Sequence, residues 1–314
     1  MASLLIAAAA ALAAGAPAAR EVEIANGAVT LHGTLLLPAG AARVPGVVLV
    51  AGSGPTDRDG NSRVGAQVLT NDSLKRLAEG LAARGIASLR FDKRGIGASA
   101  VSGLDEGSLR FSTYVADARA WTVRLAAEPR VTRVVLAGHS EGALIATMAA
   151  QGTAVAGVIT LEGAGEPAAA VLRRQFQTAL PPELRAPAEA TLSSLAAGHT
   201  VADPPAALAA LFRPSVQPYL ISWLPIDPGA EAAKLTVPLL VVQGTTDLQV
   251  GEGDARRLAA AKPGARLVLI PGMNHVLKAA AADRAANLAT YADPSLPLAD
   301  GLVEAVAGFV SALP

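Results

Sequence analysis

The sequence predicts an α/β fold: a mostly parallel sheet with helices on both faces, interrupted once by a helical insertion. Three observations carry that prediction. Short, continuous apolar runs recur along the chain, as expected of strands buried on both faces. Helical segments alternate with them, and that rhythm implies right-handed crossovers. One long stretch, 164–234, has no strand signal and is punctuated by prolines at 181, 182, 187, 204, 205, 214, 218, 225 and 228. A structureless loop of that length does not fit a compact domain, so the stretch is expected to be a small helical subdomain.

At 314 residues the chain can bury a large core. Apolar residues make up 52% and charged residues 17%, with much of the apolar share alanine, which suggests helix-rich packing. The 26 basic and 26 acidic residues cancel, so the electrostatic footprint of a nucleic-acid or anionic-membrane binder is missing. The absence of cysteine excludes a disulfide framework, a thiolate nucleophile, a cysteine-metal site and a lipobox.

The first element, "MASLLIAAAAALAAGAPAAR", is apolar from Leu4 to Ala14 and then reaches an A-x-A-like site at Ala16-Pro17-Ala18. It predicts a signal peptide over 1–18, hence an exported protein, although no Lys or Arg precedes the apolar run. An alanine-rich helix of a cytoplasmic protein is the alternative. The run is too short to span a bilayer, so no stable membrane anchor is expected after cleavage. Next, "EVEIAN" and "AVTLHGTLLLP" (28–38) have the near period-2 of an antiparallel pair. The buried strands are then expected at 46–52, 86–92, 133–140, 157–163, 238–244 and 266–272. Helices are expected at 72–84, 111–127, 142–151 and 253–261. The domains follow: core over 21–163, cap over 164–235, core again over 236–314. The insertion holds Phe176, Phe212, Tyr219 and Trp223, four of only ten aromatic residues. Phe176, Tyr219 and Trp223 are therefore candidates for a pocket wall, with packing inside the subdomain as the rival explanation.

"LAGHSEGAL" (136–144) puts Gly138, Ser140 and Gly142 in G-x-S-x-G spacing between a buried strand and a helix. Glycines are needed there because a serine on a sharp, strained turn leaves no room for side chains two positions either side. A serine hydroxyl becomes a competent nucleophile only when an imidazole takes its proton, and the imidazole needs a carboxylate to fix its tautomer. Downstream, "VVQGTTDLQV" places Asp247 just past one strand and "LIPGMNHVL" places His275 just past the next. Glu162 at an earlier strand end and Asp254 in a helix are rival carboxylates. Among the other histidines, His139 neighbours Ser140 and should point away from the cleft, His32 lies in a peripheral strand, and His199 in the insertion could line the pocket.

The order Ser, Asp, His resembles that of the α/β-hydrolase superfamily, and the resemblance covers about 21–314. It includes "FDKRGIGAS" (91–99) and the "LEGAG" turn that opens the insertion. More narrowly, "GSGPTDRDGN", "NHVLK" and "YADPSLPL" resemble bacterial carboxylesterases with a G-S-G-P-x-D-R-D loop. The resemblance implies the α/β-hydrolase fold, an eight-stranded mostly parallel sheet, and ester hydrolysis through an acyl-enzyme with no cofactor and no metal. It implies Ser140 as nucleophile, His275 as general acid-base and Asp247 as the orienting carboxylate. In the loop "VAGSGPTDRDG" (50–60), the G-K-[ST] of a phosphate cradle is missing and the spacing of a calcium loop fails. The position instead implies an oxyanion hole made by the backbone N–H of Ser53, with Gly54 as alternate, and that of Glu141. The triplet Asp57-Arg58-Asp59 is expected to brace this loop, with Asp59 paired to Arg94. The partner is thus a small-molecule ester. A peptidase, thioesterase or lysophospholipase would use the same triad, and a non-catalytic binding protein is the reading from a different class.

Overall fold

A computed structural model of the chain describes residues 16–64 and 67–314. Eight strands form one sheet: β1 (Ala18–Asn26), β2 (Val29–Leu37), β3 (Val44–Val50), β6 (Ala87–Phe91), β7 (Val131–His139), β8 (Gly157–Leu161), β9 (Leu239–Gly244) and β10 (Arg266–Ile270). Their spatial order is β1-β2-β6-β3-β7-β8-β9-β10. The β1–β2 and β2–β6 pairs are antiparallel, and every later pair is parallel. The remaining strands, β4 (Ser62–Val64) and β5 (Gln67–Leu69), make a separate hairpin that carries no periodic signal in the sequence. The apolar leader expected over 1–18 lies outside the described residues as far as residue 15, and Ala18 opens β1.

Side chains alternate across the sheet and divide the core in two. Val48, Val50 and Leu136 face the cluster built with α2 (Phe111–Ala126) and α3 (Glu141–Ala150). Val47, Leu49, Val135 and Ala137 face α1 (Ser73–Ala82) and α11 (Leu302–Ala312) on the other side. A third cluster joins β8 and β9 to α9 (Glu252–Ala261). The last strand departs from the expectation of burial on both faces: only Ile270 of β10 is buried, because β10 is the sheet edge.

Between β8 and β9 the chain forms α4 (Ala168–Ala179), α5 (Pro182–Ala196), α6 (Ala209–Phe212), α7 (Gln217–Trp223) and α8 (Pro228–Ala233), with no strand. Three of these helices start with proline in the first two positions, where its missing N–H costs nothing. After β10, α10 (Arg284–Ala289) precedes α11. β3 has β6 on one side and β7 on the other, so successive crossovers leave it in opposite directions. A crevice opens at such a switch point above the carboxyl ends of the strands.

Candidate active site

Ser140 stands between β7 and α3 with φ 56° and ψ −121°, a backbone region a side-chain-bearing residue rarely adopts. The two flanking glycines are sterically obligatory. A Cβ at Gly138 would lie 1.9 Å from the Gly142 carbonyl oxygen, and one at Gly142 would lie 2.3 Å from that of Val50. The turn is so tight that the helix start sits against the neighbouring strand, and Ser140 stands at the carboxyl end of the central strand β7.

His275 Nε2 lies 3.1 Å from Ser140 Oγ, and His275 Nδ1 lies 2.7 Å from Asp247 Oδ2. The other Asp247 oxygen accepts the amides of Gln249 (2.7 Å) and Val250 (3.1 Å). Burial alone would raise the Asp247 carboxyl. The charge and hydrogen bond of His275 outweigh it, with further bonds from Glu162 and the Gln249 amide, and bring the group down to about 2. Asp247 is therefore an anion at neutral pH, held so that it accepts from Nδ1–H and leaves Nε2 free to face the serine.

Glu162, the rival carboxylate, does not reach the imidazole as its primary partner but stands behind Asp247. Its backbone is left-handed (φ 52°), and its carboxyl accepts the Gly244 amide at 2.8 Å and the Gln243 side-chain amide. Burial first, then the Asp247 charge, push this carboxyl well above the usual carboxylate range. The Glu162 carboxyl is thus biased toward its protonated form and hydrogen-bonds Asp247. Two carboxylates this close cannot both ionise away from water, so the outer one keeps the charge. One ligand-type atom from each of Glu162, Asp247 and His275 falls within 4.8 Å of the others, but these atoms are already committed to one another. Asp254 lies elsewhere, accepting the Gly165 amide and Arg174.

His139 points away from the cleft and packs beneath the triad instead. Its Nε2–H donates to the His275 carbonyl oxygen at 2.6 Å, and the two rings sit 4.9 Å apart. Burial, and then the neighbouring His275, press its pKa down to about 3, so it is neutral and supplies a fixed donor. The loop carrying His275 is held from a second side. Asn274 donates to Thr290 Oγ1 at 2.7 Å, the Leu277 carbonyl accepts the Ala299 amide at 2.9 Å, and the buried Lys278 ammonium reaches the Asp293 carbonyl. Lys278 thus joins "NHVLK" to "YADPSLPL", while Thr290 and Ala299 fasten the loop at the two ends of that segment.

A cavity of about 80 Å³ opens beside Ser140, with Ser53, Ser140 and Glu141 at its floor and Leu144, Val171, Leu172 and Trp223 among its apolar walls. Neither the Ser53 N–H nor the Glu141 N–H donates to a protein acceptor among the described residues. Of the aromatic residues expected at the pocket, only Trp223 lines it. Phe176 is buried against Phe212 with ring centroids 6.2 Å apart, and Tyr219 turns inward to donate to Glu141 Oε1 at 2.6 Å. Both are corrections to the expectation, and the cause is that a small helical layer must bury its own largest side chains. Gly54 bends left-handed (φ 66°) outside the cavity, and His199 is exposed.

The charged loop is braced as expected but with different partners. Asp59 pairs with Arg90 at 2.5 Å rather than with Arg94, and Arg58 pairs with Asp92 at 2.9 Å. Arg90 and Asp92 are two residues apart at the end of β6 and present both groups to the loop. Arg94 lies past the turn and pairs with Asp117 of α2 at 2.6 Å. Asp57 accepts the amides of Asp59 and Asn61, both at 2.9 Å, closing the turn. Lys93, which lies between Arg90 and Arg94 and within "FDKRG", carries no signal in the sequence that sets it apart from its charged neighbours. Its buried ammonium donates to the Gly52 carbonyl and lies 3.5 Å from the Glu141 carboxylate.

The sequence profile of the alpha/beta hydrolase family matches residues 47–290. The chain is similar to Esterase EstD of Thermotoga maritima, at 29% identity over 251 residues that cover 79% of this chain and 58% of EstD. It is also similar to Rhodomycin D methylesterase DauP of Streptomyces, at 37% identity over 83 residues, covering 26% of this chain and 25% of DauP. The chain thus spans somewhat over half the length of EstD and a quarter of DauP. Among solved structures, Est1E of Butyrivibrio proteoclasticus with bound ferulic acid superposes with a TM-score of 0.58 at 19% identity, covering 92% of this chain and 96% of Est1E. The Pyrococcus furiosus esterase Pf2001 superposes with a TM-score of 0.54 at 18% identity, covering 83% and 84%. At those identities the likeness is one of fold.

Proposed function

The chain belongs to the alpha/beta hydrolase family, and on that premise we propose that it is a serine carboxylesterase that cleaves esters of small or medium acyl groups through an acyl-enzyme on Ser140. One observation carries the proposal: Ser140 Oγ, both nitrogens of His275 and Asp247 Oδ2 form an unbroken chain at 3.1 and 2.7 Å. That chain opens onto a cavity whose floor carries two amides without protein acceptors. The names of EstD and DauP, both esterases, support the reaction class.

Ser140 Oγ attacks the ester carbonyl carbon while His275 Nε2 takes the hydroxyl proton. Charge collects on the former carbonyl oxygen, where the Ser53 and Glu141 N–H groups receive it. Collapse breaks the bond to the alcohol oxygen, which leaves with the proton from His275. Water then loses a proton to His275, attacks the acyl carbon, and the second collapse returns the proton to Ser140 Oγ and releases the acid. Asp247 stays ionised throughout and steadies the imidazolium. The cavity is well below the roughly 300–1,000 Å³ of pockets that enclose drug-sized ligands, which supports a short acyl chain. Leu4–Ala14, with Ala16-Pro17-Ala18 behind it, supports export of this esterase. Among the described residues no helix is long and apolar enough to cross a membrane.

Fluorophosphonate labelling combined with a chain-length series of p-nitrophenyl esters and aminoacyl anilides tests the proposal. The expected result is stoichiometric labelling of Ser140, fastest turnover on the short esters, and loss of both in Ser140→Ala. Turnover of anilides in preference to esters would make it a peptidase, and folded protein that neither labels nor turns over would make it a binding module.

A further inference from the structure

Both proposed oxyanion donors trace back to one buried side chain that the triad does not use. Lys93 follows β6, is 3% exposed, and sits beneath the turn that carries Ser53. Its ammonium donates to the carbonyl oxygen of Gly52. That oxygen and the Ser53 N–H belong to the same trans peptide unit, in which C=O and N–H point in opposite directions. Holding the oxygen down toward Lys93 therefore aims the Ser53 N–H the other way, toward the cavity. The same ammonium lies 3.5 Å from the carboxylate of Glu141, whose own backbone N–H is the second donor. The other oxygen of Glu141 accepts the Tyr219 hydroxyl of α7 at 2.6 Å, and the Tyr219 ring meets Tyr114 of α2 edge-on at 5.4 Å. Lys93 in turn lies 5.7 Å from the Tyr114 ring centroid.

We propose that Lys93 is the positioning residue of the oxyanion hole, setting the Gly52–Ser53 peptide plane directly and the start of α3 through Glu141, with Tyr219 tying that assembly to the helical insertion. The proposal rests on the esterase reading. A buried ion pair by itself is a poor device for stability, since an apolar pair of similar volume often serves as well. Here the ammonium has a second task that no apolar side chain performs, because it must also bond a carbonyl. The arrangement further makes the oxyanion hole depend on the insertion being docked, since the Tyr219 hydroxyl reaches Glu141 only when α7 packs on α2 and α3.

The test compares the full chain with a Lys93→Met/Glu141→Gln double variant and with Tyr219→Phe, using p-nitrophenyl acetate and a trifluoromethyl ketone that forms a tetrahedral adduct with the serine. The double variant removes both charges together, so no carboxylate is left buried alone. The expected result is a kcat about 30- to 300-fold lower, somewhat below the roughly 100- to 1,000-fold of an oxyanion donor removed outright. KM changes less than threefold, the affinity for the ketone falls in parallel, and Tm stays within a few degrees. Tyr219→Phe, which keeps the ion pair, lowers kcat and ketone affinity about three- to tenfold, and it carries the test alone if the double variant does not fold. Rates and ketone affinities within threefold of the unaltered chain, or a change confined to KM, overturn the proposal. Ester turnover that survives Ser140→Ala overturns the acyl-enzyme reading on Ser140 instead, whatever the Lys93 variant does.

Discussion

At the scale of single residues, the site is organised by which groups keep a charge away from water. Asp247 keeps one because His275 and two amides compensate its burial; the Glu162 carboxyl is pushed the other way, toward its neutral form, by burial and then by the Asp247 charge. His139 lies at the opposite extreme, a fully buried imidazole whose pKa falls from 6.5 to about 3. Between those values the unfolded chain binds a proton that the folded one refuses, so stability is complete above pH 6.5 and declines as pH falls toward 3. The decline contributed by this one group is up to roughly 1.4 kcal/mol per pH unit. His139→Gln keeps an N–H for the His275 carbonyl but does not titrate. Urea unfolding at pH 7 and pH 4 is expected to show a smaller loss on acidification for the variant than for the unaltered chain.

At the scale of elements, the strand–elbow–helix unit of β7, Ser140 and α3 is the least tolerant part of the molecule. Gly138→Ala places a methyl group 1.9 Å from a backbone oxygen, and neither side can move without displacing β3 or α3. Overpacking against rigid backbone costs at the upper end of the usual range, about 3 kcal/mol, and it shifts Ser140 off its line with His275. A lower urea midpoint together with loss of fluorophosphonate labelling is the expected outcome. Gly253→Ala in the first turn of α9 is the converse case, since nothing lies within 4 Å of the added atom. That substitution is expected to raise stability by about 0.5–1 kcal/mol, read from the same unfolding curves.

At the scale of the whole molecule, the cavity beside Ser140 is walled from two sides, by Ser53, Glu141 and Leu144 near the sheet and by Val171, Leu172 and Trp223 of the insertion. Trp223 has two roles: its ring stacks on Phe111 of α2, with centroids 6.2 Å apart and planes 8° from parallel, and it forms part of the cavity wall. Trp223→Ala enlarges the cavity from the insertion side and leaves the triad untouched. The ratio of kcat/KM for p-nitrophenyl hexanoate to that for the acetate is expected to rise about tenfold, the scale set by one or two methylenes in an apolar pocket. A moderate fall in Tm accompanies it, because the stacked pair also joins the insertion to the core.

Much of this architecture is legible in the amino-acid order alone. Continuous apolar runs locate the buried strands because a strand covered on both faces has no polar side to show. The glycines around Ser140 mark the elbow because no other residue fits there, and Asp247 and His275 stand out as polar groups at strand ends. Strand β10 is legible as a strand but not as a sheet edge, hairpin β4–β5 and helix α10 are too short for a period to register, and α11 is apolar nearly all round, so no polar face marks it. What only the tertiary structure decides is the pairing of side chains distant in sequence. It gives Asp59 to Arg90 instead of Arg94, sets Glu162 behind Asp247 rather than in place of it, and turns Tyr219 from the cavity to Glu141. It also places Lys93 beneath the loop "VAGSGPTDRDG". The physical reason is that local sequence encodes backbone conformation and burial, whereas a charge finds its partner across crossovers whose geometry no short stretch of chain contains.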